Sequence, residues 1–93
     1  MSNWIETCIT VNNVEPGDAT AAFFKGSESM KSVKKVQSSC WCTSLDWNKK
    51  TKILAVMMKA PLINVTKHVT VTYEDNTLEV LTFIIKLKDG TSI

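Results

Sequence analysis

The sequence contains no arginine; all eleven of its basic residues are lysines. Arginine supplies the planar fork that grips phosphate and reads guanine, whereas lysine is a flexible point charge. With a net charge of only +2, this absence makes nucleic acid an unlikely partner. Lysine-only usage is also what an AT-rich coding sequence yields, as in a phage, a virus or an AT-rich bacterium, and that compositional origin is the plainer explanation.

Glycine is nearly as scarce. Gly17, Gly26 and Gly90 stand too far apart to form a phosphate-cradling loop. Histidine occurs once, as His68, and no serine stands in a nucleophile-elbow pattern to make it part of a triad. It reads as a structural or surface residue. No apolar run approaches the ~20 residues of a membrane helix; the longest is Ile53–Met58, and the largely apolar Leu81–Ile85 is interrupted by Thr82. Met1-Ser2-Asn3-Trp4 shows no basic stretch followed by an apolar one, so no secretory signal is read. The expectation is a cytoplasmic protein whose three cysteines stay reduced. In that setting the Asn64-Val65-Thr66 sequon goes unused.

What the chain does contain is alternation. At 93 residues it is read as one domain, spanning 1–93, with an ordinary balance of 44% hydrophobic and 22% charged residues. Residues 4–12 place Ile5, Thr7, Ile9 and Val11 on one face and Trp4, Glu6, Cys8 and Thr10 on the other, the period-two signature of a strand. Asn12-Asn13 and Pro16-Gly17-Asp18 supply turn chemistry. Residues 18–25 fit either a short strand or a two-turn helix capped by Asp18. Strand is preferred, because so short a helix is marginal unless packed. Residues 26–32 read as a mobile loop. Residues 33–47 alternate again, with Trp41, Thr43, Leu45 and Trp47 on one face and Cys40, Cys42, Ser44 and Asp46 on the other. A turn at Asn48-Lys49-Lys50 leads back into an apolar strand near 53–58, expected to be central and covered on both faces. Two lysine groups, Lys31/Lys34/Lys35 and Lys49/Lys50/Lys52, would then fall at opposite ends of one hairpin.

Pro61 ends that strand, and the C-terminal hairpin follows. A two-residue turn at Asp75-Asn76 would set Tyr73 opposite Leu78, Val71 opposite Val80 and Thr72 opposite Glu79. Beyond Leu81 the apolar residues change phase, so the pattern demands a bulge near Thr82 or burial on both faces. The expected fold is mainly β, a small antiparallel sandwich or barrel of six or seven short strands built from hairpins. The alternative is an α+β fold in which one short helix near 18–25 covers the sheet.

No catalytic constellation stands out. Cys40-Trp41-Cys42, even with Cys8, lacks the ligand number and spacing of a structural zinc site or a redox pair, so no metal or cofactor is expected. The acidic residues are scattered, with only Glu74 and Glu79 placed to approach each other. The functional expectation is a non-enzymatic protein-interaction module that self-associates as a homo-oligomer. Its interface would be an apolar sheet face formed by Leu81, Phe83, Ile85 and Leu87, on the expectation that so small a chain lacks the length to cover both faces. The alternative is a carbohydrate-binding module using exposed Trp4, Trp41 and Trp47, since tryptophan favours sugar rings and interface hot spots.

Overall fold

The computed structural model describes residues 3–39 and 42–88. These residues form seven strands and no helix: β1 (Cys8–Val14), β2 (Ala19–Lys25), β3 (Val33–Ser38), β4 (Ser44–Asn48), β5 (Ile53–Lys59), β6 (Val65–Tyr73) and β7 (Leu78–Leu87). They pair into a four-stranded sheet, β1-β7-β6-β3, and a three-stranded sheet, β2-β5-β4. Every pairing is antiparallel except that of β1, which runs parallel to β7. With β2 to β7 taken as strands B to G, B-E-D packs against G-F-C, the strand order of immunoglobulin-type sandwiches.

The alternation places the core between the sheets. Phe24, Leu54 and Val56 meet Val69, Val71, Leu81, Phe83 and Ile85, and all eight are fully buried. Each such side chain contributes about 1.5–3 kcal/mol on burial. The β-sandwich expectation holds, and residues 19–25 are a strand rather than the helix of the alternative. Thr20, Ala22 and Phe24 point inward, and the buried Thr20 hydroxyl donates to the Met58 carbonyl at 2.7 Å.

Several local expectations are corrected. Residues 33–47 are two strands in different sheets: β3 pairs with β6, and β4 pairs with β5. β5 is central, as expected, but covered on one face only. Leu54, Val56 and Met58 are buried, while Met57 is exposed on the other side. The β6–β7 turn holds three residues, Glu74-Asp75-Asn76, instead of two. Asn76 N–H donates to Tyr73 O at 2.9 Å, Tyr73 N–H donates to Thr77 O at 3.0 Å, and Asn76 has φ 68°. This is a type I turn followed by a left-handed residue. The resulting register sets Val71 opposite Glu79 and Thr70 opposite Val80. One residue of slip exchanges the faces of a strand, so Leu78 and Val80 point to solvent and Leu81, Phe83, Ile85 and Leu87 point inward. No phase change is then needed near Thr82: the pairing of β6 with β7 runs unbroken from Leu78 to Ile85.

Candidate functional site

The loops 26–32, 49–52 and 74–77 join β2 to β3, β4 to β5 and β6 to β7, and all three lie at one end of the sandwich. β3 leaves this end and β4 returns to it. The two lysine groups, expected at opposite ends of a hairpin, therefore come together.

Each loop is held by its own set of hydrogen bonds. In 49–52, the Asn48 side-chain oxygen accepts the N–H groups of Lys50 and Thr51 at 3.0 and 3.1 Å, and Lys52 takes φ 58°. In 74–77, the Asp75 carboxylate accepts from the Thr77 hydroxyl and backbone N–H. These bonds, with Lys31 3.0 Å away, hold the Asp75 pKa down to about 2. The 26–32 loop, expected to be mobile, is tied to the N-terminal segment. Asn3 O accepts from Ser27 N–H at 2.9 Å, and Asn3 Oδ1 accepts from Lys31 N–H at 2.9 Å. A β-carbon at Gly26 would collide with the Met30 sulfur, so the bare glycine lets Met30 lie across it.

Trp4 braces this end from inside. It was expected among the exposed tryptophans, yet it is 2% exposed. Residues 3–7 precede β1 and do not continue its alternation; Trp4 bridges to Gly26 and turns inward while Ile5 faces solvent. Its indole N–H donates to the Tyr73 hydroxyl at 2.8 Å, and that hydroxyl donates to a Glu79 carboxylate oxygen. Burial first, and then the Glu79 bond, push the Tyr73 pKa far above the usual phenol value. Trp4 also meets Trp47 edge to face, with ring centroids 5.5 Å apart.

Above this brace lies a cleft of about 220 Å³. Met30, Val33 and Trp47 give it an apolar floor, and Lys31, Lys49, Lys52 and Glu74 are its charged groups. Lys31 is paired with Asp75. Lys52 Nζ donates to the Glu28 carbonyl, a neutral acceptor, and the Lys49 ammonium has no ion pair or hydrogen bond among the described residues.

The other candidate residues fall elsewhere. Leu81, Phe83, Ile85 and Leu87 are core, covered by the chain's own second sheet, and so form no exposed interface. Trp4 offers no face to a sugar, Trp47 is half-buried against the core, and Trp41 and Cys40 lie outside the described residues. Cys42 is disulfide-bonded and Cys8 is free and exposed, which corrects the expectation of three reduced thiols. His68 is exposed on β6 opposite Thr82. Glu79 supports Tyr73 while Glu74 lines the cleft, so the two carboxylates take separate tasks. No group of metal-ligating side chains occurs among the described residues, and no helix there is long and apolar enough to cross a membrane. The cleft was missed because it depends on which sheet β4 joins, and that is invisible in local alternation.

Comparison with protein-family models, curated proteins and solved structures returns no match. The functional reading therefore rests on the chemistry of the site, since a sandwich fold alone implies no activity.

Proposed function

We propose that the chain is a non-enzymatic protein-interaction module whose partner meets the loop end of the sandwich. The observation that carries this reading is the convergence of loops from both sheets on one cleft over the Trp4–Tyr73–Glu79 brace. Rigid frameworks presenting converging loops are a recurrent way to build a recognition surface. The test compares proteins retained by the wild type, by a Lys49→Glu/Lys52→Glu variant and by a Lys86→Glu control at the opposite end. A partner kept by the wild type and the control but lost from the double variant supports the proposal. Partners indifferent to the loop-end change count against it.

A second reading keeps the expected self-association but moves it to another face. On the outside of the three-stranded sheet, Phe23 is 62% exposed opposite Ala55, and Met57 lies opposite Ala21. An exposed apolar sheet face is what two sheets bury when they stack. Light scattering should show a dimer that Phe23→Lys converts to a monomer; a wild type that stays monomeric at all concentrations removes this reading.

A further inference from the structure

We infer that the loop-end cleft takes an acidic peptide segment anchored by one apolar side chain, an inference that rests on the loop end being the binding surface. The charge of the cleft sets the sign of its occupant. Three lysines line it against a single carboxylate, Glu74. Lys31 is already neutralised by Asp75 at 3.0 Å, which leaves Lys49 and Lys52 as the ammonium groups open to an incoming anion. Lys52 is held in place by its bond to the Glu28 carbonyl at 2.9 Å, so its ordering precedes binding and lowers the entropy cost of a new ion pair.

The floor sets the second requirement. Met30 is an adaptable thioether surface suited to apolar side chains of varied shape. Val33 and the half-buried Trp47 complete a patch large enough for one side chain. A single-stranded nucleic acid fits less well. Base stacking needs an open aromatic face, but Trp47 is half-buried and meets Trp4 edge to face. A peptide also offers backbone N–H groups from which the Glu74 carboxylate can accept, and a run of phosphates does not.

The probes are short synthetic peptides rich in aspartate and glutamate around a central leucine or phenylalanine. Matched peptides carry lysine for the acidic residues or serine for the central one, and oligothymidine serves as the nucleic-acid probe. Binding is followed by amide chemical shifts on the isotopically labelled full chain. The acidic, apolar-centred peptides should shift the amides of Met30, Lys49 and Lys52. Their affinity should fall roughly tenfold in the Lys49→Glu/Lys52→Glu variant, and it should also weaken with added salt. Lys86→Glu should leave it unchanged. Tighter binding at the cleft by neutral or basic peptides, or by oligothymidine, overturns the acidic-peptide inference. In the peptide case the loop end still stands as a protein-binding surface. An absence of loop-end shifts with every peptide overturns the inference too. A partner whose binding survives the loop-end change is the separate result that removes the broader proposal.

Discussion

Tyr73 links the brace to the rest of the fold, because its hydroxyl accepts from Trp4 and donates to Glu79. Replacing it with phenylalanine removes both the acceptor that Tyr73 gives the buried indole N–H and the hydroxyl it donates to Glu79. Tyr73→Phe should cost about 1–3 kcal/mol in urea denaturation. Tyr73 is also the chain's single tyrosine, so its ionisation can be read directly. Its folded pKa is raised; the stability this contributes is therefore complete below the unfolded value of about 10 and drains away as pH rises beyond it. Alkaline titration should accordingly show phenolate forming together with unfolding. Asp75 behaves in the opposite sense. Its folded pKa of about 2 lies below the unfolded value of about 3.9, so its contribution is present at neutral pH and is lost as pH falls between those values. A carboxyl titration by NMR should place the Asp75 midpoint near 2, and Thr77→Val should raise it. None of these roles was legible in the sequence: Tyr73 read as one more apolar-face residue, and Asp75 as turn chemistry alone.

The β6–β7 turn shows how far a strand can be read and where the reading stops. Alternation over 69–74 and 77–80 marked two strands, which extend further in the structure, as Val65–Tyr73 and Leu78–Leu87. It could not tell a two-residue turn from a three-residue one, because Asp75-Asn76 suits either, and that single residue decides which face of β7 is buried. Leu81, Phe83, Ile85 and Leu87 therefore read as a surplus apolar face needing a partner, when they are the core itself. The turn's length is thus a testable determinant of the fold. Deleting Asn76 should turn those four residues toward solvent and abolish cooperative thermal unfolding, while Asn76→Gly, which keeps the length and suits φ 68°, should retain it. The segment 33–47 failed for a similar reason. Its alternation runs through both β3 and β4, and local periodicity carries no sign that the chain changes sheet between them.

For the whole molecule, the two sheets divide the aromatic residues into those that hold the fold and those that do not. Phe83→Ala, in the shared core, should cost about 3–5 kcal/mol, a large part of the roughly 5–15 kcal/mol that keeps such a domain folded. Phe23→Ala, on the outer face, should change stability by no more than about 0.5 kcal/mol. Urea denaturation of the two variants checks the contrast. The parallel pairing of β1 with β7 has a mechanical consequence. The chain enters at the loop end through Trp4 and leaves at the other end through Lys88, whose N–H donates to Val14 O. A pull on both termini therefore slides β1 along β7, loading Cys8–Thr82 through Val14–Leu87 together instead of peeling the contacts apart one by one. Stretched between its ends, this small sandwich should yield in one abrupt step, with the first strand as its clasp.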